Sequence, residues 1–573
     1  MENIENDINN SGLQVVGNEE IYDKAIKENK LDLLYYLFEY ESEIWENCFL
    51  NNCELRKFAV PPTIEAIANG AFNGCSSLAK ISISSSVSFI DPQAFANCTS
   101  LEQITLPPFI NTIEPNVFEN CSALKEIVIP FSVVSIGKFA FTKCKSLTKV
   151  LIPSSVTSIK YAAFSYCTSL KQIKNPFSVN LIDEFAFYGC TSLREINIPS
   201  SITSIEKSVF YQFYALKQLT LPSSICSIKE YAFLGCSSLE YFEIPNSVSF
   251  IERSVFSGCS SLEYILVPST IKSIDEQAFY GCSLLKGIEI PASVTSIGNC
   301  AFYECSSLDQ ITIPSSVITI SENAFNGCTS LKHVEIPSSV TSIGKWAFAR
   351  CKSLAQIEIP SSLTSIEICM FYDCSKLKEI KITLSVISIE ENAFNMCTSL
   401  KKIIIPSSVT SIGKFTFFGC SSLEEIQIPP SVKSIGENAF NKCSSLKQIE
   451  IPSSVNSLEN NLFFGCSSLI QIEIPSSITS IGNSTFEGCA SLSEIIIPSS
   501  VTSIGKYAFS KCSLLKGIAI PSSVCSIGEG AFNKCSSLTE IEIPSTLNSI
   551  CKYTFNECSS LKKNINSFFC YVD

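Results

Sequence analysis

The stretch CTSLKKIIIPSSVTSIGKFTFFG, residues 397–419, decides the fold, because the chain repeats it at a fixed interval. CSSLKQIEIPSSVNSLENNLFFG, from Cys443, is a second well-formed copy. Working outward, a Phe-x-x-Cys pair recurs at Phe72/Cys75, Phe95/Cys98 and Phe118/Cys121 and continues to Phe555/Cys558. Every step is 23 residues, with no insertion across 22 copies. Leu55, Phe58, Val60 and Pro61 fall in the same frame and mark a partial unit ahead of the first full one. A period this strict predicts one solenoid and not the several globular domains that 573 residues would otherwise suggest.

The unit decodes from its apolar positions. Counting from each Cys, positions three, six and eight are apolar, as in Leu446, Ile449 and Ile451. Positions six and eight alternate with polar residues, the mark of a strand buried on one face. A proline then ends strand pairing (Pro452, Pro475, Pro498), because it has no N–H to donate. The Ser-Ser-Val-x-Ser-Ile run predicts an extended segment with a bend. The remainder, up to Ala508, Phe509 and Cys512, has room for only a turn or two of helix. One unit cannot bury its own apolar positions, so neighbours must stack and put Leu on Leu, Ile on Ile, Phe on Phe and Cys on Cys. The strands are then expected to form one continuous in-register parallel sheet.

These residues carry a family resemblance. L-x-x-I-x-I-P-x-S-V-x-x-I-x-x-x-A-F-x-x-C, as in Leu400–Cys420 and Leu492–Cys512, resembles the BspA-like class of leucine-rich repeats. The resemblance implies a leucine-rich-repeat solenoid, α/β horseshoe-like and β-rich. Residues 1–48 are expected to form an acidic helical N-terminal cap, 49–566 an array of about 22 repeats and 567–573 a C-terminal tail. It also implies a surface antigen or adhesin, at the cell surface or secreted, that binds protein partners on host or neighbouring cells through a concave sheet. The ends, MENIENDINN and NINSFFCYVD, show neither a secretory signal nor an anchor. That favours, as the alternative, a cytoplasmic leucine-rich-repeat scaffold.

Charge and composition exclude other classes. The 54 Asp+Glu against 41 Lys+Arg argue against nucleic acid as a partner. Residues 1–48 hold 12 acidic and three basic residues, so most of the net charge lies there. Within them Ile21, Ala25, Leu31, Leu34, Leu37 and Phe38 are spaced as on amphipathic helices. At the far end Asn564 and Asn566 stand where the ladder calls for Ile, which would stop stacking. No apolar run reaches the ~20 residues of a membrane span.

Candidate chemistry is sparse. Of 29 cysteines, 21 sit on the ladder, and Phe213 takes the slot once. A slot that also takes Phe is an apolar one, so buried reduced thiols are expected. No C-x-x-C occurs, and neither metal nor cofactor is expected. His333 is the only histidine and falls on an outward strand position beside Glu335, which suits a polar surface and not a catalytic triad. The chain is therefore expected not to be an enzyme. Serines on the bends (Ser454, Ser477, Ser500) suggest side chains bonded to their own turns. Asn97, Asn120 and Asn483 begin glycosylation sequons, a weak signal.

Recognition would then rest with the outward strand positions. Tyr241 and Tyr264 fall side by side near Leu266, and exposed aromatic residues on a rigid sheet are frequent interface anchors. Glu243, Glu289, Glu335 and Glu358 run along the same face as an acidic stripe, continued by Glu450, Glu473 and Glu542. Such a stripe would draw a basic partner. With His333, these residues make up the candidate protein-binding site.

Overall fold

The computed structural model describes residues 19–561, apart from Asn175 and Asn548. Asn564, Asn566 and the expected 567–573 tail lie outside the described residues. The chain divides into two compact units, Met1–Ile271 and Lys272–Asp573, built from the same rung.

Most full rungs contribute a two- or three-residue strand and, about nine residues later, a two-residue strand. In the second unit Glu425–Gln427, Gln448–Glu450 and Gln471–Glu473 pair in parallel, with Ile426 beside Ile449 and Ile449 beside Ile472. The side chains alternate exposed, buried, exposed, so the middle Ile faces the core. The extended Val-x-Ser-Ile segment, which sequence left unpaired, forms a second parallel ladder. There Ser365, Ser388, Ser411 and Ser434 stand in register, each followed by a buried Ile. The first unit repeats this with Glu126–Val128, Lys149–Leu151 and Gln172–Lys174 on the first ladder. Its second ladder reaches back to Glu43–Ile44, paired with Ala66–Ile67. The expected single sheet is thus two ladders, and the first is interrupted in places. Beside Gly287, which brings no side chain to pack, only a single bridge joins Glu289 to Thr312.

The stretch before each Cys is a run of tight turns and not a helical turn. Asn438 and Lys442 both hold left-handed conformations (φ 60°), and comparable pairs recur through the chain. A left-handed residue every fourth position keeps the chain from winding into a helix. Its amides then divide between two tasks. Ala439, Asn441 and Cys443 donate three residues back, to Gly436, Asn438 and Phe440. Asn438, Phe440 and Lys442 donate to the next rung, to the carbonyls of Asn460, Leu462 and Phe464 at 2.7–3.1 Å. A helix would have used all of them locally.

Between the ladders lies the core. Phe394, Phe417 and Phe440 stack nearly parallel, with ring centroids 5.6 and 5.5 Å apart. The ladder cysteines are buried, but they do more than fill space. Cys420 Sγ donates to the carbonyl of Phe394 at 3.2 Å, and Cys98 does the same to Phe72. The bend serines differ from expectation as well. Val455 N–H already closes its own turn onto Pro452, at 3.0 Å. Ser477 Oγ therefore reaches across to the Val455 carbonyl of the preceding rung, at 2.6 Å. Ser523 does the same to Val501. Ser500 Oγ is buried without a hydrogen-bond partner.

Two helices, Glu19–Lys27 and Leu31–Phe38, lie before the first rung. Phe38 packs on Phe49 and Phe58, and Tyr35 stacks on Phe58 at 5.5 Å. The Ala59 amide donates to Tyr35 Oη, and Asn52 Nδ2 donates to the Ile26 carbonyl. The helices thus cover a ring stack that would otherwise end in water.

Replacing one rung's core ring should be costly. Phe417→Ala is expected to lose about 3–5 kcal/mol, and Ser477→Ala about 1 kcal/mol. Chemical denaturation of both variants measures this. Equal, small losses would mean that the rungs are not held by the ring stack.

Candidate functional site

In the unit Met1–Ile271, the strands Tyr241–Glu243 and Tyr264–Leu266 lie in register, Tyr241 beside Tyr264 and Glu243 beside Leu266. Their middle residues, Phe242 and Ile265, are buried. Phe242 wedges edge-on between Phe233 and Phe256, 4.9 Å from each, which fixes the strand beneath the tyrosines. Tyr241 is 40% exposed, and Tyr264 and Leu266 are each 53% exposed. Two phenol rings, a leucine and one carboxylate therefore share a firm, open surface.

The remaining candidates belong to the unit Lys272–Asp573. Gln310 stands beside His333 and Thr312 beside Glu335, and Glu289 bridges to Thr312. His333 Nε2 lies 3.4 Å from Glu335 Oε1 on an open face, a weak contact between neighbours on one strand. The acidic stripe is not continuous. Lys381 stands opposite Glu358 and its ammonium lies 2.6 Å from the carboxylate. Ile404 and Gln427 follow Lys381 in that column before Glu450. On the neighbouring column Lys402 approaches Glu425 at 3.7 Å. Such exposed pairs add only about 0–1 kcal/mol of stability, yet they cancel the charge a basic partner would sense. Glu450 and Glu473 do stand side by side. The structure therefore groups Tyr241, Glu243, Tyr264 and Leu266, whereas the acidic positions of the other unit form separate, partly neutralised sites.

Several buried ladder thiols are held protonated. Burial pushes Cys75, Cys420 and Cys466 up to about 12. Among the described cysteines no disulfide is formed, and Cys53, Cys226 and Cys525 are the exposed ones. Among the described residues no three His, Cys, Asp or Glu side chains gather closely enough to hold a metal ion. Asn97 and Asn120 occupy left-handed positions and hydrogen-bond along their own ladder, Asn120 to Asn97 and Asn97 to Asn73.

Two surface features of the first unit escaped the sequence reading. Tyr166, Tyr188 and Tyr211 pack together on the turn edge, the latter two stacked at 4.4 Å. Phe109, Phe131 and Phe177 project from the bends where other rungs carry small residues, beside exposed Val128 and Leu151. The signal was available, since Phe131 and Phe177 replace a recurrent Ser in the frame.

Comparison with known proteins agrees with the rung. The family model described as BspA type leucine rich repeat region matches residues 42–171, 162–286, 272–401, 387–516 and 479–567. The chain belongs to that family. Among solved structures it is similar to a leucine-rich repeat protein from Bacteroides ovatus, at 34% identity over 66% of this chain and 86% of that one, with a TM-score of 0.48. It is also similar to a leucine rich cell surface protein from Faecalibacterium prausnitzii, at 29% identity over 58% and 88%, with a TM-score of 0.40. The pneumococcal vaccine antigen PcpA matches at 21% identity over 56% and 76%, with a TM-score of 0.34. A search of curated proteins finds no match. No helix among the described residues is long and apolar enough to cross a membrane.

Thiol labelling checks the core. Under native conditions iodoacetamide should modify Cys53, Cys226 and Cys525 and spare Cys420 and Cys466 until the chain is denatured. Because burial raises the folded-state pKa of the ladder thiols, they stay protonated well above the ordinary range near 8.5. Native labelling at pH 9 should therefore still spare them. Rapid modification of Cys420 at that pH would mean the rungs open.

Proposed function

We infer that this chain is a non-enzymatic protein-binding solenoid and that Tyr241, Tyr264 and Leu266 anchor its partner. The observation that carries the reading is the pairing of two half-exposed phenol rings beside a leucine on strands locked from below by Phe242. Rings held in this way lose little entropy on binding, and Tyr supplies both contact area and a hydroxyl. Glu243 adds one carboxylate to the rim and favours a partner with a basic group near an apolar one. Display at the cell surface or secretion, as an adhesin, is the reading that the family resemblance supports. An intracellular scaffold is the second, and the many unpaired thiols favour it, since disulfides are typical of exported proteins. The absence of chemistry is part of the same proposal, because buried ladder thiols such as Cys420 and Cys466 are held protonated and the side chain of His333 meets only Glu335 among the described residues.

The double variant Tyr241→Ser, Tyr264→Ser should weaken capture of the protein partner by more than ~2 kcal/mol, about thirtyfold, with an unchanged melting temperature. Undiminished capture would remove this face from consideration. Antibody labelling of intact and permeabilised cells separates the two locations: signal on intact cells supports the adhesin, and signal only after permeabilisation supports the scaffold.

A further inference from the structure

A second stretch of the unit Met1–Ile271 has a different character. The chain as a whole is acidic, yet residues 127–182 contain seven lysines and not one Asp or Glu. None of those lysines forms an ion pair among the described residues. Three of them border the outward face of the first ladder. Lys149 and Lys174 are exposed strand residues, with Lys149 beside Gln172 and Leu151 beside Lys174. Lys171 immediately precedes the strand that carries Lys174 and is also exposed.

The same rungs carry the most exposed rings among the described residues. Phe131 and Phe177 are each 82% exposed, at a bend position that is Ser154 on the rung between them and Ser200 on the rung after. Phe109 projects from the neighbouring bend. The bends and the strand face are one surface. A shallow groove of about 520 Å³ runs from Gln103 and Val128 to Pro130 and Phe131. Core packing does not require these rings, because the buried Val133 and Val179 fill the interior position next to each bend.

We propose that this edge docks onto a membrane surface rich in anionic phospholipid, with Phe131 and Phe177 entering the acyl boundary and Lys149, Lys171 and Lys174 lying over the headgroups. Three features select that occupant. Glu126 stands beside Lys149 and lines the groove, but it forms no ion pair with that lysine. The seven lysines leave the patch with a positive excess that calls for an anion. Phenylalanine has no polar handle to offer a hydrogen-bonding polymer, but it gains by leaving water for an apolar layer. The repeat also sets equivalent bends in a row at equal height, with Phe131 and Phe177 two rungs and roughly 10 Å apart. A flat occupant meets both rings at once. Tyr241 and Tyr264 lie further along the same ladder, three and four rungs beyond Gln172, and the substitutions at Phe131 and Phe177 leave them unchanged, so the two proposals are tested separately.

Vesicle flotation of the full chain tests it, with phosphatidylcholine vesicles containing or lacking phosphatidylserine. The chain should float with the anionic vesicles and not with the neutral ones, and salt should weaken the association. Phe131→Ser with Phe177→Ser should reduce partitioning at least about tenfold, by analogy with the loss of other buried apolar anchors. Since Ser is the residue neighbouring rungs carry there, an unchanged melting curve is expected. Lys149→Gln, Lys171→Gln and Lys174→Gln should each cost about fivefold. Failure of the wild-type chain to float overturns the proposal, as does flotation that the double Phe→Ser variant leaves intact. Retention on immobilised heparin without flotation also overturns it and assigns the lysines to an acidic polysaccharide.

Discussion

Half of the turn amides in each rung find no acceptor within that rung, and the stacking of rungs follows from this. Asn438, Phe440 and Lys442 depend on carbonyls 22 residues further along, just as the strand amides depend on the next strand. A buried amide without an acceptor costs as much as a lost hydrogen bond. An isolated rung is therefore unfavourable in its polar groups as well as in its exposed apolar ones. The same dependence forbids length changes, since one extra residue would shift donors past acceptors on every side of the coil. The constant 23-residue step records that restriction.

Once the backbone is committed in this way, side chains divide by position. The stacked phenylalanines and the Ile and Leu ladders exclude water from the interior. The smaller polar side chains serve the rung boundary. The Cys thiol reaches a Phe carbonyl of the preceding rung, and the bend Ser reaches a Val carbonyl. A cysteine fits that slot because it is nearly as apolar as alanine yet still brings a donor. Phe213 fits by size alone and meets Phe210 edge-on at 5.3 Å. The two helices before the first rung resolve the remaining difficulty, the open end of the ring stack at Phe49 and Phe58.

Period, strand position, buried Cys and Phe ladders and the helical start were all legible in the sequence, because each repeats or is amphipathic. The second ladder was hidden because a two-residue strand such as Ser411–Ile412 has too little length to show alternation. The turns were read as helical because Gly-Lys-x-x-Phe spacing suits either, and only the left-handed residues decide between them. Glycine stands at the position of Lys442 in nine of the 22 rungs and was a legible left-handed signal. The position of Asn438 and Tyr507 takes many residue types and gave none. The acidic stripe looked continuous because positions were read along one column. Lys381 interrupts that column one rung beyond Glu358, and Ile404 and Gln427 follow it there before Glu450. The tyrosine pair was legible because register alone makes Tyr241 and Tyr264 neighbours.

A chain so constrained leaves few places where function can be written. Positions committed to the interior or to the rung boundary tolerate little, and a departure there, as at Phe213, is absorbed as packing. The outward strand positions and the bend tip carry no such duty. A residue that departs from the repeat at those places, and is exposed, has no structural reason to do so. Tyr241 and Tyr264 meet that condition on the strand, and Phe131 and Phe177 meet it on the bend. His333 does not, because a single polar residue on an outward strand is what solvation alone would place there. Exposure together with departure from the register is therefore a sharper guide to the working surfaces of this protein than residue chemistry alone.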